Sequence, residues 1–322
     1  MSLSPPRILI LGATGQLGRA LVHEAARQDI QALALGREQV DFSRPDLIRA
    51  RLAQHTLAFN PTHVINATAY TAVDRAELEP ELAMRVNAES VAELGHACGA
   101  MGLPLVHFST DYVFNGCLPL TEAYRPDSPT DPQSVYGLTK RAGEVALMVC
   151  GANVVVFRTS WVYAAHGSNF FQTMVSAAQK REQLSVVDDQ FGAPTSAHWI
   201  ARQVIKVCEQ WQEGSRILHL TASGHTHWCG FARTLLRLAR QANPNLPWRV
   251  TTDEQVQVVS TQQYEDALRA AGRTDPIAPR PANSRLDCSE AFERFALEAM
   301  AWQAQLEEVV FLSTKSIGAK AT

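Results

Sequence analysis

The chain has 322 residues, 46% of them hydrophobic, and a formal net charge of −3. That length suits one large α/β domain or a domain with an added lobe, and the near-neutral charge carries no basic footprint for nucleic acid. Six scattered cysteines (Cys98, Cys117, Cys150, Cys208, Cys229, Cys288) form no C-x-x-C pair, no apolar run reaches the about 18 residues of a membrane span, and residues 1–7 lack a signal-peptide core, so a cytoplasmic protein with reduced thiols is expected.

Residues 7–11 are a short apolar run ending at Gly12, the pattern of a buried parallel strand. An amphipathic helix follows at 16–27 and a second apolar strand at 31–35. Residues 45–56 read as a helix with Ser43 as N-cap and Pro45 in the first turn. A strand at 63–66, a long helix at 81–98, a strand at 105–108, a helix at 134–149 and a strand at 154–157 continue the alternation. This spacing predicts an α/β fold: a Rossmann-type doubly wound parallel sheet with a smaller C-terminal substrate-binding lobe.

The later chain is less regular. A strand at 184–187, a helix at 197–210, a strand at 217–220 and a helix at 230–241 are expected. A loop with Pro244 and Pro247, a further strand, a proline-rich segment at 276–281 and a helical segment at 289–310 follow. The division expected is a dinucleotide-binding domain at 1–160, with later returns near 185–221, and a lobe formed mainly by 161–322. The start and the tail after Ser316 are expected to fray.

Gly12-Ala13-Thr14-Gly15-Gln16-Leu17-Gly18 follows a strand and opens a helix. In that setting glycines allow a tight turn and close approach of a pyrophosphate to the helix N-terminus. Gly12, Thr14, Gly15, Gln16 and Leu17 are therefore candidate cofactor contacts. The second strand ends at Gly36-Arg37 rather than at an acidic residue. A guanidinium suits a 2′-phosphate, so NADPH is expected, with NADH as the second candidate. Asp41 and Phe42 are placed to flank the adenine. Ala69, Tyr70 and Thr71, after the third strand, are placed by the cofactor ribose and phosphate, and Phe108 completes this set.

Tyr136 precedes Lys140 by one helical turn in Tyr136-Gly137-Leu138-Thr139-Lys140. The lysine charge is expected to lower the phenol pKa from about 10 toward neutrality, making Tyr136 a general acid, while Lys140 also holds the ribose. Thr110, after the fourth strand, is expected to bond the substrate carbonyl oxygen or the phenol. The catalytic candidates are thus Thr110, Tyr136 and Lys140.

Several segments carry a family resemblance: Asn66-Ala67-Thr68-Ala69-Tyr70-Thr71-Ala72-Val73-Asp74, Ser109-Thr110-Asp111-Tyr112-Val113-Phe114, Arg158-Thr159-Ser160-Trp161-Val162-Tyr163, Gly167-Ser168-Asn169-Phe170, Asp189-Gln190-Phe191-Gly192-Ala193-Pro194-Thr195 and Arg280-Pro281-Ala282-Asn283-Ser284-Arg285-Leu286. Over nearly its whole length the chain resembles the extended short-chain dehydrogenases/reductases, and among them the dTDP-4-dehydrorhamnose reductase family. The resemblance implies reduction of the 4-keto group of dTDP-6-deoxy-L-lyxo-4-hexulose to dTDP-L-rhamnose by NADPH or NADH. It places Val73, Thr110, Asp111, Trp161 and Asn169 at the substrate. Arg280 and Arg285 are candidates for pairing with the nucleotide diphosphate.

Some members of the family bind Mg²⁺ at a dimer interface through glutamates. The matching positions here are Ala20 and His198, so no metal is expected and both a monomer and a homodimer stay open. A related 4,6-dehydratase would carry Asp-Glu after the threonine, whereas Asp111-Tyr112 follows Thr110. Another nucleotide-sugar reductase or epimerase, or a non-catalytic NADP-binding regulatory subunit of the methionine adenosyltransferase type, are the alternatives.

Overall fold

The structure, a computed structural model, describes residues 5–318. The first half runs β1 (Ile8–Leu11), α1 (Gln16–Arg27), β2 (Ala32–Leu35), α2 (Pro45–Phe59), β3 (His63–Asn66), α3 (Val73–Ala76), α4 (Pro80–Met84), α5 (Ser90–Ala100), β4 (Leu105–Thr110), α6 (Val135–Met148) and β5 (Val154–Thr159). The second half runs β6 (Val162–Tyr163), α7 (Phe170–Ala178), β7 (Leu184–Val187), β8 (Phe191–Gly192), β9 (Thr195–Ser196), α8 (Ala197–Glu209), β10 (Arg216–His219), β11 (Thr226–His227), α9 (Trp228–Ala242), β12 (Val256–Val259), α10 (Thr261–Ala270), α11 (Ser289–Arg294) and α12 (Trp302–Gly318).

Six strands form one parallel sheet in the order β10-β5-β4-β3-β1-β2. The chain leaves β1 toward β2 on one side and returns to β3 on the other, so the topological switch lies between β1 and β3, where ligands bind in open α/β sheets. Strand alternation divides the core in two. Ile8 and Ile10 face α1 and α8 with Trp199, Ile200 and Val204. Leu9 and Leu11 face α2 and α5 with Ile48, Leu52, Val91 and Leu94. Both faces are buried, which explains strands that are apolar throughout rather than alternating. A separate cluster around Tyr163, Phe171, Phe231, Leu235, Trp302 and Leu306 forms the core of the later half.

Several expectations shift. Arg44, not Ser43, is the N-cap of α2, without a side-chain cap bond, while Pro45 opens the helix as expected. The helix expected at 81–98 is interrupted by a π turn, Arg85–Glu89, a device that turns side chains out of the regular register. The strand at 184–187 does not return to the main sheet; β7 pairs in parallel with β12, and Leu184 and Val186 join the later core. The expected return at 217–220 is real, as β10 beside β5. The helix expected at 289–310 breaks between α11 and α12, where Ala296 takes a left-handed φ of 44°. Ser316 still lies within α12, so the tail is helical to Gly318; residues 1–4 and 319–322 lie outside the described residues. Among the described residues no helix is long and apolar enough to cross a membrane.

Candidate active site

Past β1 the backbone turns through Gly12 at φ 76°. A Cβ there would stand 2.8 Å from Thr68 Oγ1, and one on Gly18 would lie 2.0 Å from the Gly12 carbonyl oxygen. Only glycine allows the loop and the first turn of α1 to close this tightly against the segment after β3. Gly12, Thr14 and Gly15 line a cavity of about 250 Å³. Arg37, Asp41, Phe42, Ala69 and Tyr70 line its other walls. The exposed Arg37 guanidinium pairs with Asp41 at 3.3 Å. Tyr70 is fixed by Asn87, which takes the Tyr70 amide at 2.8 Å, and by its phenol bond to Glu79 at 2.6 Å.

Of the expected cofactor contacts, Phe108, Tyr136 and Lys140 lie beyond that cavity, at the end of β4 and on α6, and Gln16, Leu17 and Thr71 also fall outside it. Leu17 packs on the core beneath the sheet. Thr71 is exposed. Gln16 donates to the Val162 carbonyl at 3.0 Å, while its Oε1 has no partner among the described residues. Ser109 Oγ and Ser160 Oγ, at the ends of β4 and β5, are likewise buried without partners. A cradle closed to any Cβ and unpaired polar atoms along the same sheet edge fit a dinucleotide.

The catalytic candidates meet at the carboxyl end of β4. Ser134 caps α6 by accepting from the Gly137 amide, which starts the helix that carries Tyr136 and Lys140. The Tyr136 phenol stands beside Thr110, whose hydroxyl favours the phenolate. Thr110 Oγ1 donates to Asp111 Oδ1 at 3.0 Å, and Ser284 Oγ donates to Asp111 Oδ2. Burial lifts the Asp111 carboxyl to about 6 against the pull of the Ser284 and Thr110 bonds.

The expected lowering of the tyrosine does not occur. Burial pushes Tyr136 up to about 12, and the Thr110 hydroxyl opposes this only in part. Lys140 does not reach back to the phenol: its Nζ donates to the Phe108 carbonyl at 2.6 Å and lies 3.3 Å from His107 Nε2. Burial lowers Lys140 itself to about 8, against the charge of Glu144. Phe108 thus contributes its carbonyl to the site, while its ring belongs to the core.

Below the sheet edge a second cavity of about 310 Å³ lies between Asp74, Tyr112, Phe170, Trp228, Tyr264 and Arg280, with Arg273 and Gln190 also on its wall. Asp74 accepts from Arg273 at 2.7 Å, from Arg280 at 3.1 Å and from the Ala278 amide at 3.1 Å. Burial acts to raise the Asp74 carboxyl, and the two arginines outweigh it and hold it below the ordinary range. The other expected substrate residues divide. Arg285 does not join Arg280; it donates to the Leu120 carbonyl and lines a different groove with Glu122 and His225. Asn169 is spent on structure, capping α7 through the Gln172 amide and bonding the Ala164 and His166 carbonyls. Val73 opens α3 beside Asp74 without lining the cavity. Trp161 also stays off that wall, covered by Trp228.

The chain matches the family model described as RmlD substrate binding domain over residues 6–314. The dTDP-4-dehydrorhamnose reductase of Escherichia coli K12 is 37% identical over 312 residues, which cover 94% of this chain and 96% of that protein. This chain belongs to the dTDP-4-dehydrorhamnose reductase family. The crystal structure of the family's Bacillus anthracis member in complex with NADP aligns with a TM-score of 0.82 at 28% identity, covering 96% of this chain and 100% of that one. The Clostridium acetobutylicum ortholog aligns at 0.81 and 29%, covering 95% and 99%.

At the two positions where the resemblance would place magnesium ligands, Ala20 is fully buried, and His198 sits edge-on to His23 and His166. Among the described residues no His, Cys, Asp or Glu cluster is arranged to hold a metal ion. Sequence reasoning missed Asn87, His107, Trp228 and Arg273. Asn87 is brought inward by the π turn and bonds Thr139 on α6 at 3.1 Å. Arg273 lies in a loop without motif spacing, and only the fold brings it to Asp74.

Proposed function

We propose that this chain reduces the 4-keto group of dTDP-6-deoxy-L-lyxo-4-hexulose to dTDP-L-rhamnose in dTDP-rhamnose biosynthesis. NADPH, with NADH as the second donor, supplies the hydride when bound in the glycine-loop cavity. Arg37 supports the preference for NADPH, since its guanidinium suits a 2′-phosphate.

Tyr136 donates the proton. A phenol with a pKa near 12 is fully protonated at neutral pH, and a reduced carbonyl oxygen is far more basic than a phenolate, so the transfer runs downhill. Thr110, beside the phenol, orients it, and its one hydroxyl hydrogen, held by Asp111 at 3.0 Å without substrate, turns to the same oxygen when the sugar binds. Asp111 and Ser284 hold Thr110 in place through their hydrogen bonds. Lys140 holds the cofactor ribose. Arg273 and Arg280 pair with the diphosphate of the nucleotide sugar, and Trp228 and Tyr264 wall the same cavity. The free thiols of the six cysteines suit a cytoplasmic enzyme, acting as a monomer or a homodimer.

The observation that carries this reading is the meeting of Thr110, Tyr136 and Lys140 at the end of β4 in a chain that matches the family over 6–314. The test is product analysis. The 4-keto substrate is generated in place by upstream enzymes, and NADPH-dependent formation of dTDP-L-rhamnose is followed by chromatography. A different 6-deoxy sugar, or no product from protein that binds NADPH, would overturn the assignment.

A further inference from the structure

Behind Lys140 lies a polar pair that the reaction as described does not use. Asn66 on β3 and His107 on β4 are direct register partners in the sheet. Both are completely buried. Asn66 Oδ1 accepts the Thr68 amide at 3.0 Å. This fixes the orientation of the Asn66 amide and leaves its NH₂ group 3.1 Å from His107 Nδ1. An amide nitrogen donates and cannot accept, so Nδ1 must be the acceptor. Burial keeps the imidazole neutral, far below its ordinary pKa, and a neutral imidazole carries one N–H. That hydrogen therefore sits on Nε2, which faces Lys140 Nζ at 3.3 Å.

An ammonium has three donors and no acceptor, whereas a free amine has a lone pair to receive an N–H. We propose that His107, locked by Asn66 as its Nε2–H tautomer, is a positioning residue that turns a donor toward Lys140 and biases it to the amine form. The other groups around Lys140 do not cancel this bias. Tyr136, one turn before, is neutral. Glu144, one turn after, is held by two bonds of 2.8 Å to Arg158 and by Arg141. Burial acts in the same direction as His107, toward the value of about 8.

The inference rests on Lys140 belonging to the reducing site, but its test needs neither cofactor nor turnover. Long-range ¹⁵N–¹H correlation on the cofactor-free protein, with His107→Gln used to assign the signal, is expected to show Nε2 protonated and Nδ1 bare from pH 6 to 9. A proton on Nδ1 would overturn the inference even in a fully active reductase. Asn66→Leu removes the amide and frees the ring to offer its Nε2 lone pair to the ammonium. The ¹³Cε titration of Lys140 is then expected to rise by about one pH unit, a tenfold gain in proton affinity, and the alkaline limb of kcat/KM to move with it. An unmoved Lys140 midpoint in a folded Asn66→Leu protein would mean that Asn66 and His107 are structural only. Should that variant fail to fold, the wild-type tautomer alone decides.

Discussion

Trp228 lies flat on Trp161, with ring centroids 3.7 Å apart and planes 10° from parallel. Trp161 holds a left-handed φ of 50°, an uncommon conformation for a bulky residue and one that clusters at functional sites. Gly192 lies against the same indole, where a Cβ would come within 2.7 Å of Cε2. The ring that the resemblance places at the substrate is therefore covered, and the indole that borders the cavity is that of Trp228. Trp228→Ala is expected to raise KM for the nucleotide sugar roughly tenfold, in line with an aromatic contact of about 1 kcal/mol plus lost burial, with kcat changed less. Steady-state kinetics and quenching of intrinsic fluorescence by dTDP check this. An unaltered KM would place the substrate elsewhere.

The two arginines of the Arg280-to-Arg285 segment face different grooves. Arg280→Ala is expected to raise KM at least tenfold through the loss of a charged hydrogen bond of about 1.5–3 kcal/mol, and Arg273→Ala to do the same. Arg285→Ala should leave KM within about twofold, since Arg285 lies away from the Asp74 cavity. Equal effects at Arg280 and Arg285 in initial-rate measurements would contradict this placement.

Arg37, at the end of β2, is the group proposed to separate the two cofactors. Arg37→Asp replaces the cation by an anion that repels a 2′-phosphate and can bond a 2′-hydroxyl. Kd for NADPH is expected to rise by a hundredfold or so, while Kd for NADH stays level or falls. Calorimetric titration with both dinucleotides reads this without any catalysis. A parallel loss for both would remove Arg37 from the 2′ position.

Burial of Lys140 also sets a pH dependence of stability. Its folded pKa of about 8 lies below the ordinary value of 10.5. Below pH 8 both folded and unfolded chains hold the proton, and the full cost of the buried charge is felt. Between pH 8 and 10.5 the unfolded chain holds more protons, so stability contributed by this site rises with pH. Relative to Lys140→Met, the cofactor-free wild type is expected to gain up to about 3 kcal/mol across that window. Urea unfolding of both proteins at pH 7.5 and 10 measures the difference, and a constant difference would show that Lys140 is not desolvated.

The main sheet was legible because its strands bury both faces and so read as unbroken apolar runs, and because Gly12 and Gly18 can be nothing but glycine where the loop meets α1. Thr110, Tyr136 and Lys140 were legible as a group for a similar reason: one strand end and one helix turn fix their relative positions. The later half was harder. The four-residue strands β7 and β12 pair across a long stretch of chain, and nothing periodic in either announces its partner. The break at Ala296 depends on packing rather than on a proline or glycine signal. The shift of Tyr136 ran opposite to expectation because helical spacing gives proximity to Lys140 but not the direction of its Nζ, which the Phe108 carbonyl and His107 decide. Arg273 and Trp228 became visible only when the fold brought distant segments onto one cavity.

The most direct measurement is NADPH oxidation, followed at its near-ultraviolet absorbance, by wild type and Tyr136→Phe with dTDP-6-deoxy-L-lyxo-4-hexulose. The variant keeps the ring and loses the proton donor. Substrate-dependent oxidation by the wild type, falling a hundredfold or more in Tyr136→Phe while NADPH still binds with near-normal Kd, is the result expected. Equal turnover by both proteins, or no oxidation by wild type that binds NADPH, would contradict the account.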